Sequence, residues 1–197
     1  MTLRVAKYAL LVSGLTLSGS LFAGEMPPMV AQTCVGCHGP NGSSVGPATP
    51  SIAGTEGETL VEAMRAYQKD ERPSTIMGRI AKGYTDQELE IMANYFSSQE
   101  FVRYPQETDS TKVNRGKELH DEYCDKCHED NGFKDEDGSS ILAGQWLPYL
   151  QFSLADYHSG QREPTKKMGK RMKKMVKEAG EGSLDDVAHF YASQTKE

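Results

Sequence analysis

The sequence predicts an all-α fold built as two tandem copies of one unit. Three observations predict it. Cys-x-x-Cys-His occurs twice, at Cys34–His38 and Cys124–His128, and uses all four cysteines. The two copies lie 90 residues apart, and other residues keep that register. The apolar periodicity is helical in both halves, and no stretch alternates persistently enough to argue for strands.

The doubled motif is the attachment pattern of a c-type haem. Cys34 and Cys37, and likewise Cys124 and Cys127, would each bond a carbon on the porphyrin edge. His38 and His128 would place an imidazole under the iron. A thioredoxin-like redox pair does not need the trailing His, and a zinc site draws its ligands from other spacings. The expected cofactors are therefore two covalently bound haems.

The repeat register extends well beyond the motifs. Asn41-Gly42 maps to Asn131-Gly132, Ile52-Ala53-Gly54 to Leu142-Ala143-Gly144, and Tyr67 to Tyr157. After one extra residue the offset becomes 91, and Pro73 and Met77-Gly78 meet Pro164 and Met168-Gly169. Both halves finish alike, as Tyr95-Phe96-Ser97-Ser98-Gln99 and Phe190-Tyr191-Ala192-Ser193-Gln194. A unit of this length is a small domain whose haem would supply much of the core.

Residues 1–23 read as a cleavable secretory signal. Arg4 and Lys7 precede an apolar run from Tyr8 to Leu17, and Leu21-Phe22-Ala23 ends in a small residue. The run is too short for a comfortable membrane span, and no other segment approaches that length. The expected location is the periplasm. Removing Arg4 and Lys7 takes the formal charge from −6 to −8, which argues against nucleic-acid binding. The first unit is expected over residues 24–104, a linker over 105–111, and the second unit over 112–197.

The elements follow in chain order. Gly39–Gly54 is rich in Gly, Pro and Ser and reads as an ordered loop wrapped on haem. Gly57 or Thr59 opens a helix through Lys69, with Leu60, Ala63, Met64 and Tyr67 on one stripe. Thr85-Asp86-Gln87-Glu88 has the form of a capping box, and the helix it starts should bury Leu89, Met92, Tyr95 and Phe96. Tyr104–Ser110 is polar, contains Pro105, and fits a linker. Lys112–Tyr123 reads as a helix leading into the second motif, with Val113, Gly116, Leu119 and Tyr123 roughly aligned. Ser183 begins the last helix, burying Leu184, Val187, Phe190 and Tyr191.

The second iron ligand decides the chemistry. Met closes the coordination sphere and raises the potential, which suits electron transfer, whereas an open position admits oxygen or peroxide. The candidates are Met77 and Met168, which share a Pro four residues earlier and a Gly immediately after. Core packing alone does not require that shared frame. Met172 and Met175 compete with Met168, and Met172 stands in register with Met77 when counted from the terminal helix. His120, His158 and His189 lack repeated counterparts and read as surface groups or as supports behind the ligands. His120 is the bis-His alternative.

Lys166, Lys167, Lys170, Arg171, Lys173, Lys174 and Lys177 form a basic cluster on an acidic chain. It reads as a solvated helix face or as a docking surface for an acidic redox partner. The loop Glu129–Asp137 is an opposite, acidic patch. Trp146 fits a place near haem, at a subunit interface, or in the core.

Three segments carry a more specific resemblance: Ser43-Ser44-Val45-Gly46-Pro47-Ala48, Ser74–Tyr84, and Ile141–Gln151. They resemble the cytochrome subunit of flavocytochrome c sulfide dehydrogenase, within the exported dihaem cytochromes c. The resemblance implies two fused cytochrome c domains, His38 and His128 as proximal ligands, and Met77 and Met168 as distal ones. It also implies a separate FAD-containing flavoprotein subunit that oxidises sulfide, and a soluble acceptor such as a small cytochrome c. No Gly-x-Gly-x-x-Gly is present and the length leaves no room for a flavin domain, so catalysis on sulfide would lie in another chain. The other readings are a free-standing dihaem carrier to a terminal oxidase, and a haem enzyme with an open iron site.

Overall fold

The structure is a computed structural model that describes residues 28–134 and 138–195. The expected leader, and residues 135–137 of the acidic loop, lie outside the described residues. Among the described residues the regular structure is helical, with no strand. The first half contains α1 (Met29–His38), α2 (Gly57–Gln68), α3 (Met77–Ala81) and α4 (Asp86–Ser97). The second contains α5 (Ser110–Leu119), α6 (Glu129–Gly132), α7 (Leu147–Ser159), α8 (Lys166–Ala179) and α9 (Ser183–Ser193).

Local chemistry accounts for several boundaries. At α4 the Thr85 hydroxyl accepts from Glu88 N–H while Glu88 accepts from Thr85 N–H, so the expected capping box forms. Asp109 caps α5 by accepting from Thr111 and Lys112 N–H. Beyond Leu119 the ladder widens into a π-helical turn, His120–Cys124, with Asp125 N–H reaching His120 O at 2.9 Å. Gly160 ends α7 with φ +78°, a left-handed conformation that a side chain would strain.

Each half has its own apolar core. Ala31, Val61, Leu89, Met92, Ala93, Tyr95 and Phe96 join α1, α2 and α4. In the second half, Leu119, Tyr123, Leu150, Met175 and the Val187–Ala192 face of α9 form the other. Here α5 and α9 touch backbone to backbone: a Cβ on Gly116 would stand 2.1 Å from Asp186 O. All four residues expected to be buried on α4 are buried.

The repeat is written in backbone hydrogen bonds. Ile52 and Ala53 N–H donate to Gly42 O at 2.7 and 3.1 Å, and Leu142 and Ala143 N–H donate to Gly132 O at 2.9 Å each. Gly54 N–H then bonds Phe96 O, and Gly144 N–H bonds Tyr191 O, both at 2.9 Å. Gly42 and Gly132 have φ +82° and +84°, and a Cβ there would meet Phe96 at 2.7 Å and Tyr191 at 2.8 Å. This explains the repeated Asn-Gly pair: the loop presses against the terminal helix where no side chain fits.

A polar seam joins the halves. Ser51 N–H donates to Gln145 Oε1 and Gln145 Nε2 donates to Ser51 O, both at 2.9 Å. Trp146 Nε1 donates to Ser44 O at 3.0 Å, and its ring lies where a Gly46 Cβ would be, 2.7 Å away. Ala53, Phe101 and Ile141 form a small apolar cluster on the same seam. The segment before α5 is anchored too: Gln106 donates to Gln145 O and Ala192 O and accepts from Leu147 N–H. Tyr104 stacks on Trp146 with centroids 6.3 Å apart. Trp146 thus packs within the chain, between its two halves, a place not among those expected from the sequence.

Candidate haem sites

Each Cys-x-x-Cys-His segment closes a helical stretch. α1 carries Cys34 and Cys37 and ends on His38, and the π-helical turn ends on Cys124. Cys127 and His128 follow in a turn whose N–H groups both donate to Cys124 O, at 3.1 and 3.0 Å. The four thiols are unpaired; Cys34 and Cys124 are half-buried, Cys37 and Cys127 exposed. Burial pushes the Cys34 thiol pKa up, against a Thr33 hydrogen bond that lowers it. Burial likewise raises Cys124 to about 11. A dithiol redox pair works through a depressed thiol pKa, and both half-buried cysteines move the other way. Among the described residues no three His, Cys, Asp or Glu side chains form a metal-binding group.

Burial favours the neutral imidazole at both histidines. His38 is buried, with Nδ1 2.8 Å from Pro50 O. A carbonyl only accepts, so Nδ1 carries the proton and Nε2 keeps its lone pair. Burial pushes the His38 pKa down, more than the Pro50 bond raises it. His128 differs, and Ser140 stands at the position in register with Pro50. Its Nδ1 is buried without a hydrogen-bond partner, and burial, with a smaller push from His120, lowers its pKa to about 4. Paired free thiols beside a neutral imidazole fit a covalent haem in each half.

Met77 opens α3 and is half-buried; just beyond it, Gly78 N–H donates to the Ser74 hydroxyl at 2.8 Å. In the second half Thr165 occupies the position of Ser74, and its hydroxyl accepts from Met168 N–H at 3.3 Å. Met168 lies in the first turn of α8, and Met172 one turn later; both are half-buried. Met175 is 1% exposed inside the core, which gives it a packing role.

His120 and His189 are not at the surface. His120 is fully buried, its Nδ1 2.9 Å from Tyr191 OH and its ring against Phe190 and Tyr191. Its Nε2 lies 3.4 Å from Asp125 Oδ1 in a geometry that makes no hydrogen bond. His189 is buried and accepts the N–H of Asp109, supporting the α5 cap. Of the two places expected for them, surface or support behind the ligands, burial leaves the second, which a lone His without a repeat partner does not signal in sequence. His158 is exposed and pairs with Glu181 at 2.9 Å.

The sequence reading missed a second pair of residues in register. Arg72 lies 4.8 Å over the Tyr67 ring, and Arg162 lies 4.3 Å over Tyr157. Arg72 also donates across the seam to Tyr149 OH at 3.0 Å. The offset of 90 that matched the tyrosines also matches the arginines, and was the available signal.

Comparison with known proteins agrees with this arrangement. The family described as Cytochrome c matches residues 28–100. Cytochrome c4 of Azotobacter vinelandii is 30% identical over 148 residues, covering 67% of this chain and 70% of that protein. The chain belongs to the cytochrome c family. The cytochrome subunit of sulfide dehydrogenase from Chlorobaculum tepidum is 40% identical over 70 residues, covering 36% of this chain and 63% of that subunit. The match therefore spans less than two thirds of that relative. Reduced cytochrome c4 from Pseudomonas stutzeri superposes with TM-score 0.69 at 24% identity, covering 82% of this chain and 93% of that one. This cytochrome is thus an all-α, haem-binding electron-transfer protein of two tandem cytochrome c domains.

Proposed function

We propose that this cytochrome is the periplasmic electron-transfer subunit of a sulfide-oxidising flavocytochrome, with Cys34 and Cys37, and Cys124 and Cys127, holding its two haems. A c-type haem supplies a one-electron couple at its iron. The chain's own part is to present His38 Nε2 and His128 as neutral donors, and Met77 and Met168 would be the second ligands. The observation that supports the His ligands best is the His38–Pro50 bond, which leaves one ring nitrogen with a lone pair. For Met168 over Met172, the support is the register: Thr165 stands at the position of Ser74, and each hydroxyl accepts a backbone N–H from the Met-Gly pair, Gly78 in the first half and Met168 in the second.

The FAD-bearing partner and the soluble acceptor rest on the 40% match to the sulfide dehydrogenase subunit and on the Ser74–Tyr84 segment. No helix among the described residues is long and apolar enough to cross a membrane. Export rests on the signal-like pattern of residues 1–23. A second reading, a free-standing dihaem carrier, is favoured by the longer cytochrome c4 match. Native purification separates the two: a flavin-containing chain co-purifies under the first, and a flavin-free cytochrome appears under the second. For the ligands, Met77→Ala and Met168→Ala are each expected to convert one haem from low-spin His/Met to a spectrum that responds to added imidazole. Met172→Ala should leave both unchanged. A reversed result for Met168 and Met172 would move the ligand one turn along α8.

A further inference from the structure

We infer that the exposed face of α8 is a docking surface for an acidic soluble protein, and that it names the charge of the acceptor in the function proposed above. Helical spacing gathers the basic residues of α8 on one side, with Met168, Met172 and Met175 on the other. Met175 is buried in the core, which fixes which side faces outward. Lys166, Lys167, Lys170, Lys173 and Lys177 are all exposed, and none forms an ion pair among the described residues. Only Lys174 reaches a carboxylate, Glu178 at 3.7 Å, while Arg171 donates to Glu122 O.

Fold stability does not account for this face. Lys166 and Lys167 sit in the first turn, where no acidic residue balances the positive end of the helix dipole. Lys166–Lys170, Lys167–Arg171, Lys170–Lys174 and Lys173–Lys177 are like-charge pairs one turn apart, an arrangement that weakens a helix. The chain as a whole is acidic, with formal charge −6, so the cluster also opposes the overall field. A self-repelling basic face on an acidic protein is an arrangement that an acidic partner would relieve. The same helix carries Met168, so a partner seated there lies over the element proposed to supply the second iron's ligand. This inference rests on the electron-transfer reading, but not on which donor supplies the electrons.

The test uses the holo-cytochrome and the triple variant Lys167→Glu, Lys170→Glu, Lys173→Glu, with Lys69→Glu as a control charge change elsewhere. Binding of plastocyanin, an acidic copper protein, is followed by calorimetry between about 10 and about 150 mM ionic strength. Parent and control should bind at low salt and lose roughly tenfold or more in affinity across that range. The triple variant should not bind, while its haem spectrum stays unchanged and its thermal midpoint rises, because repulsion is relieved. Equal binding by parent and triple variant would overturn the inference. So would binding of α8 to phosphatidylglycerol vesicles without binding to plastocyanin, which would make the partner a membrane. Loss of the flavoprotein reading leaves these outcomes untouched, since they do not involve a flavin.

Discussion

Gln145→Ala tests whether the seam is held by one amide. Gln145 is 3% exposed and exchanges two hydrogen bonds with the Ser51 backbone, each 2.9 Å, while its oxygen also accepts Trp146 N–H at 3.2 Å. Truncation leaves the N–H and C=O of Ser51, itself 5% exposed, without their partners. Each orphaned buried group costs about 1–3 kcal/mol, and water entering the gap pulls the sum toward the lower end, so we expect about 3 kcal/mol. For a chain of this size that is a fall of roughly 8 °C in thermal midpoint. The assay is thermal and urea unfolding of the holo-protein, followed by haem absorbance and far-UV circular dichroism together. The seam reading adds a second expectation: the two probes should separate as the halves uncouple. A midpoint within about 1 °C of the parent, with coincident probes, would refute the reasoning.

Two other outcomes follow from close contacts and charge. Gly116→Ala should destabilise the second half by about 2–4 kcal/mol, because the new methyl meets Asp186 O at 2.1 Å and backbone cannot swing aside; urea midpoints measure it, and an unchanged midpoint would mean that α5 and α9 are not in backbone contact. Asp185 lies below the ordinary aspartate range: burial, its largest single influence, raises it, but hydrogen bonds from Lys112 and Gln151 and the Lys112 charge outweigh that. Its folded pKa is depressed, so the stabilisation is present above the ordinary aspartate value of about 3.9 and is lost as pH falls through the lower folded value. Lys112→Met should therefore lower the urea midpoint near neutral pH, and the gap to the parent should close on acidification; a gap independent of pH would sink this account.

Much of each site was legible because its chemistry is local. Cys34, Cys37 and His38 fall within one and a half helical turns, and so do their counterparts, so spacing alone carried the haem inference. The capping box at Thr85 and the stripe Leu89, Met92, Tyr95 and Phe96 were equally local, and both formed as expected. What escaped sequence reading depends on partners distant in the chain. Burial of His120 comes from Phe190 and Tyr191, and the role of Arg72 comes from Tyr149, 77 residues away.

The sequence by itself therefore determined the helical class and the haem motifs, which are carried by residues within a few turns of one another, and the duplication and the candidate iron ligands, which a constant register makes visible without any knowledge of packing. Only the tertiary structure decided how the copies meet. It placed Gln145 and Trp146 against Ser51 and Ser44, assigned Met175 to the core, and turned the lysines of α8 to solvent. Those outcomes depend on which surfaces exclude water when two similar units pack, and a 90-residue register cannot specify that because it treats the two units as equivalent.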